Sequence, residues 1–149
     1  MVQAKHRKPV QRIESNPKIA SRKTPETPRV TETLLSDMTR RIVDACDPEK
    51  IILFGSYAKG TARPDSDIDL FVIMKSKDEL ETNHRRIMNV SAAAKIPYLP
   101  MDVIVRTPPE VETRLEMGDF FIREIIDQGR VLYQRDAARR VDRKGRRRL

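Results

Sequence analysis

The spacing of apolar and polar positions divides the middle of the chain into short elements. Leu34, Leu35, Met38, Ile42 and Ala45 recur at helical spacing, which predicts a helix from Thr31 to about Asp47-Pro48. It should stop there because the residue before a proline is pushed out of the helical region. Lys50–Phe54 is an apolar, β-branched run between Pro48 and Gly55 and reads as a buried strand. Ser56 to Gly60 reads as a tight turn into one or two helical turns, Arg63-Pro64-Asp65-Ser66 as a loop, and Ile68 to Met74 as a second buried strand. Asp78 to Lys95 has helical propensity and is closed by Pro97 and Pro100, after which Met101–Val105 forms a third strand.

Pro108-Pro109-Glu110 suits a helix start, and Phe120, Phe121, Ile122, Ile125 and Ile126 are expected on the last helix of the core, with Gly129 as its C-terminal cap. Val131-Leu132-Tyr133 closes the pattern as a short edge strand. Alternating helices and strands indicate one α/β (α+β) domain, with a small mixed β-sheet of three to four strands flanked by helices. Met74, Met88, Met101, Met117 and Cys46 are expected in its core, and His84 on its surface.

Charge redraws the boundaries. The chain of 149 residues has a formal net charge of +8, which on its own suggests a nucleic-acid or anionic partner. Residues 1–30, however, hold eight basic and two acidic residues, and 134–149 again hold eight and two, so each end carries +6 and 31–133 carries −4. Residues 1–30 also scatter four prolines and His6 among charges with no apolar period, so they are expected to be a disordered basic N-terminal arm. The folded domain is then 31–133, and 134–149 is a basic C-terminal tail. The two ends either contact RNA or an acidic partner or simply keep the protein in solution.

Cys46 is the only cysteine, so neither an intrachain disulfide nor a cysteine metal site is expected. No apolar segment follows the basic start and no run approaches the ~20 residues that span a bilayer, so the expectation is a soluble, cytoplasmic protein without a membrane partner.

The chemistry is concentrated between Phe54 and Ile73. A strand ends in Gly55-Ser56, ten residues intervene, and Asp67-x-Asp69 opens the next strand. Positions i and i+2 of a strand share a face, so two carboxylates project together and repel until a cation lies between them. Hard divalent ions such as Mg2+ take such oxygen donors, usually with water and substrate phosphates. Asp102 also opens a hydrophobic strand and is the natural third carboxylate for a two-metal site. Gly55 allows close approach of backbone to a ligand, and N–H groups from Ser56 onward, with the Ser56 hydroxyl, suit a triphosphate. Lys59 and Arg63 either neutralise phosphate charge or are solvated, and Tyr57 is a candidate to stack on a nucleobase.

Gly55-Ser56, the ten-residue gap and Asp67-x-Asp69 together resemble the signature of the DNA polymerase beta-like nucleotidyltransferase superfamily. The size of the core is similar to that of its minimal nucleotidyltransferases, which lack a second substrate domain. The resemblance implies the nucleotidyltransferase fold and transfer of a nucleoside monophosphate from an NTP, here ATP, to a hydroxyl with release of pyrophosphate. It further implies that Asp67, Asp69 and Asp102 hold two Mg2+ ions, with Asp102 as base, and that Gly55 and Ser56 hold the triphosphate. Minimal members are often paired with a HEPN-domain toxin, some silencing it by adenylylating a tyrosine, which implies such a toxin as partner. Lys59 stands where the family frequently has arginine, which keeps the charge and loses a bidentate fork. Two other readings remain: adenylylation of a small molecule of the aminoglycoside type, for which 31–133 leaves no acceptor domain, and a non-catalytic antitoxin or binding module that acts by occlusion.

Overall fold

A computed structural model describes residues 28–136, so most of the basic arm and tail lies outside the described residues. Nine elements follow in the order α1 (Glu32–Cys46), β1 (Lys50–Phe54), α2 (Gly55–Lys59), β2 (Ile68–Ile73), α3 (Asn83–Ala94), β3 (Met101–Arg106), α4 (Pro108–Glu116), α5 (Phe120–Gln128) and β4 (Arg130–Gln134). The strands form one sheet in the order β3-β2-β1-β4. β1 is antiparallel to β2 and β4, while β2 and β3 run parallel, so the sheet is mixed and four-stranded. Among the described residues no helix is long and apolar enough to cross a membrane.

The period of two along β2 organises the core. Ile68, Leu70 and Val72 pack with Ile51 and Leu53 of β1 against Leu35, Met38 and Ile42 of α1 and Val90 and Ala94 of α3. Phe71 and Ile73 point the other way, joining Ile52 with Val111 of α4 and Ile122 and Ile125 of α5. Helices therefore cover both faces. Arg130 of β4 makes a two-pronged hydrogen-bonded ion pair to Glu32 at 2.8 and 2.5 Å, and Arg135 pairs with Asp47, so both ends of α1 are tied to the β4 edge.

Local chemistry explains where elements start and stop, including three departures from expectation. Helix α3 begins at Asn83 rather than Asp78. Asp78 accepts from the Leu80 N–H at 2.9 Å and Glu81 from the Lys77 N–H at 2.7 Å, so these side chains hold a turn that competes with helix until Thr82 caps it. What reads as one helix after Pro108 is two. Thr107 and Glu110 form a capping box on α4, Gly118 takes a left-handed φ of 78° that ends it, and Asp119 caps α5 through the N–H groups of Phe121 and Ile122. Gly129 does occupy the C-cap, but with an extended φ of −68°, so it is not a left-handed cap. A side chain is excluded there by packing: a Cβ would stand 2.3 Å from the Ile125 carbonyl oxygen and 2.4 Å from Ile52.

Burial departs from expectation at specific residues. Cys46 and Met74 are buried, Met101 is half-buried and His84 is exposed, as expected. Met88 and Met117, by contrast, are 56% and 76% exposed. Phe120 is 86% and Phe121 52% exposed, because neighbouring helix positions differ by about 100° and α5 turns Ile122 and Ile125 inward instead.

Candidate active site

Register places the acids. Asp69 is the second residue of β2 and pairs with Asp102 of β3 on one side and with Phe54, the last residue of β1, on the other. Adjacent strands lie about 4.8 Å apart, so Asp69 and Asp102 are immediate neighbours. By the alternation of β2 they share the face of Phe71 and Ile73, beneath which α4 and α5 pack. Asp67 precedes the strand by one residue and is exposed, as is Asp102, while Asp69 is half-buried.

Gly55 completes the wall. It opens α2 with a left-handed φ of 70°, and a Cβ there would stand 2.1 Å from Asp69 Oδ2. Only glycine lets the β1–α2 backbone lie against that carboxylate. Next to it, the half-buried Ser56 accepts hydrogen bonds at its carbonyl from Gly60 and Thr61, and its hydroxyl is unpartnered among the described residues.

The charge balance of this corner is one-sided. Among the described residues Asp67, Asp69 and Asp102 make no ion pair and no side-chain hydrogen bond. Burial, then the charge of Asp102, then that of Asp67, push the Asp69 carboxyl above its ordinary value. The donor set is thus hard, anionic and uncompensated, which suits a divalent cation. Its positions are less complete: among the described residues no three His, Cys, Asp or Glu side chains stand together as a formed metal cluster.

The two basic residues of the motif diverge. Lys59 is at the end of α2 and reaches Glu124 of α5 at 3.6 Å, away from the acids. Arg63 is exposed in the 61–67 loop, where its N–H donates to Ser66 Oγ at 2.8 Å. Tyr57 packs against the α1–α3 side of the core and borders a groove with Pro28, Val30, Arg63 and Asp65.

A cleft of about 200 Å³ between α2 and α5 is not foreshadowed by the hydrophobic pattern. Phe54, Gly55, Ala58 and Lys59 form one wall, and Phe121, Glu124, Ile125 and Gln128 the other. The rings of Phe54 and Phe121 meet edge to face, 5.9 Å apart at 85°. Two adjacent phenylalanines at the start of a helix cannot both face one core, and that was the available signal.

The chain is similar to several known proteins. The Putative protein adenylyltransferase of Methanocaldococcus jannaschii is 28% identical over 86 residues, covering 57% of this chain and 78% of that protein. Two solved structures are also similar. A putative nucleotidyltransferase from Sulfolobus solfataricus aligns at a TM-score of 0.49 and 20% identity, over 69% of this chain and 79% of that one. A toxin-antitoxin crystal structure with AMP-PNP aligns at 0.44 and 19%, over 68% and 74%. The nucleotidyltransferase domain family matches residues 36–132, a span that runs from α1 into β4 and contains Gly55, Ser56 and all three aspartates. The chain belongs to that family and is a nucleotidyltransferase.

Proposed function

We propose that the protein transfers AMP from ATP to a hydroxyl of a partner protein, in the manner of an antitoxin that modifies a HEPN-domain toxin. The observation that carries the reading is the in-register pairing of Asp69 with Asp102 against Gly55, with no ion pair to either among the described residues. Protein adenylylation is supported by the name of the Methanocaldococcus jannaschii relative, and the HEPN partner by the resemblance to minimal nucleotidyltransferases.

Asp67, Asp69 and Asp102 would hold divalent ions, for which Mg2+ is the natural candidate; bound there, these neutralise the triphosphate and the charge that develops during transfer. Gly55 and Ser56 would bind the triphosphate through backbone N–H groups and the free hydroxyl. Of the two basic residues that flank that segment, Arg63 is exposed in the 61–67 loop and would supply positive charge, while Lys59 would first have to leave Glu124. In the transfer, the acceptor oxygen bonds to the α-phosphorus, the bond from that phosphorus to the β-bridging oxygen breaks, and pyrophosphate departs. Asp102 takes the proton of the attacking hydroxyl, in the role the family resemblance assigns. Most of the catalytic work assigned to the protein is positioning and charge neutralisation.

The test uses the full chain, Mg2+, ATP labelled at the α-phosphate and the protein encoded beside it. Wild type should label the partner, and Asp67→Asn should not. Labelling at an undiminished rate by Asp67→Asn would refute the mechanism. If Asp67→Asn still neutralises the partner without labelling it, the protein acts by occlusion.

A further inference from the structure

We propose that the cleft between α2 and α5 receives the base of the donor nucleotide, and that Glu124 and Gln128 select adenine over guanine there. The inference rests on the donor reading above and deepens it. Three observations converge on it. The cleft and the acid corner share Gly55, so a ligand with phosphates at Gly55-Ser56 has its remaining atoms within reach of the cleft. Phe54 connects the two directly, since it is the register partner of Asp69 and also lines the cleft.

Size and walls come second. About 200 Å³ suits one flat ring system and is below the 300–1,000 Å³ typical of pockets that take a whole drug-sized ligand. Ala58 and Ile125 are aliphatic, Phe54 is aromatic, and Phe121 keeps half its surface in solvent. A half-exposed aromatic ring beside a phosphate site can serve as a stacking platform for a base.

The third observation is the polar rim. Glu124 and Gln128 lie four residues apart on α5 and therefore on one face of the helix, both lining the cleft. An ionised carboxylate only accepts hydrogen bonds, whereas an amide both donates and accepts. Adenine offers an exocyclic amine and a ring-nitrogen acceptor along one edge. Glu124 accepts from the amine and Gln128 donates to the ring nitrogen. Guanine would set its carbonyl oxygen against the Glu124 carboxylate, leaving two acceptors opposed. Lys59 stands 3.6 Å from Glu124 Oε1 and pairs with it at the rim of the cleft.

Calorimetry on the full chain with Mg2+ tests this, using a non-hydrolysable ATP analogue, its GTP counterpart and inorganic tripolyphosphate. Phe121→Ala should weaken the ATP analogue about tenfold and leave tripolyphosphate unchanged, as expected for loss of one stacked base. Glu124→Gln should leave tripolyphosphate unchanged and reduce the preference for the ATP over the GTP analogue about tenfold. Unaltered thermal unfolding of both variants confirms that the fold is retained. If wild type binds tripolyphosphate and both variants bind the ATP analogue as wild type does, the base is elsewhere and this proposal is overturned while the donor reading stands. If wild type binds neither triphosphate compound, the donor reading fails and this one with it.

Discussion

The two faces of the sheet are built to different specifications. Among the described residues, fifteen buried ones form one cluster toward α1 and α3, from Leu35 to Val105. Toward α4 and α5 there are five, and that is the face on which Asp69, Asp102, the α2–α5 cleft and the exposed Phe121 are found. The same strand serves both, because Ile68, Leu70 and Val72 alternate with Asp69, Phe71 and Ile73. A register slip of one residue would drive the aspartate into the larger core, so the apolar side of β2 fixes the position of its acidic side. The thick face holds the fold together, and the thin face leaves room and unneutralised charge for a ligand.

Neighbouring residues of β2 give the largest and most direct test of this division. Asp69→Asn should reduce transfer about a thousandfold or more, since several kcal/mol of charge stabilisation is at stake at about 1.4 kcal/mol per tenfold. Its melting temperature should rise, because the variant removes a half-buried, repelled carboxylate. Leu70→Ala, one residue on, should do the reverse: it costs about 2–5 kcal/mol of stability and leaves transfer per folded molecule near wild type. A fall in melting temperature for Asp69→Asn comparable to that of Leu70→Ala would mean that the acid supports the fold.

Two glycines sharpen the comparison at smaller magnitude. Gly55 and Gly60 have nearly the same left-handed φ, 70° and 73°, so alanine at either carries a similar conformational cost of about 1–2 kcal/mol. Only at Gly55 would the new Cβ meet Asp69 Oδ2, whereas at Gly60 nothing lies within 4 Å. Gly55→Ala should therefore lose transfer at least tenfold more than Gly60→Ala, read as initial rates on equal folded protein. Equal losses would remove Gly55 from the site.

The legibility of the sequence follows the same division. Strands β1, β2 and β3 are readable because each is a short apolar run, broken in β2 and β3 by a single aspartate: β1 matches its expected limits and β2 and β3 shift by one residue at one end. The acids are readable for a chemical reason, since a carboxylate at the mouth of a buried strand conflicts with its surroundings. What stayed hidden depends on contacts distant in sequence. Periodicity cannot show that Lys59 meets Glu124, that Phe121 turns to Phe54, or that the glycine at 129 is required by Ile52 rather than by its own φ. Side-chain turns such as Glu81 on Lys77 also override helical propensity locally, which is why α3 starts late.

The smallest expected effect is a contrast in pH dependence between two carboxylates. The folded-state pKa of Asp69 is raised, by burial first and then by Asp102 and Asp67. Its contribution is thus fully present below the unfolded value and is lost as pH rises through the folded one. Glu32 is the opposite case, lowered first by its hydrogen bond from Arg130. Its contribution is present above the unfolded value and is lost as pH falls through the folded one, and full exposure keeps it small. Acidification should therefore relieve the acid corner while loosening the tie between α1 and β4. In urea melts at low ionic strength, Asp69→Asn should remove a decline in stability on the rising-pH side of the carboxylate range, and Glu32→Gln a decline on the falling side. Raising salt should shrink the Glu32 effect more than the Asp69 effect, because one pair is in water and the other carboxylate is half-buried between strands. Equal screening of the two would mean that the acid corner is as open to solvent as the surface clamp, and that its charge is not held in reserve for a cation.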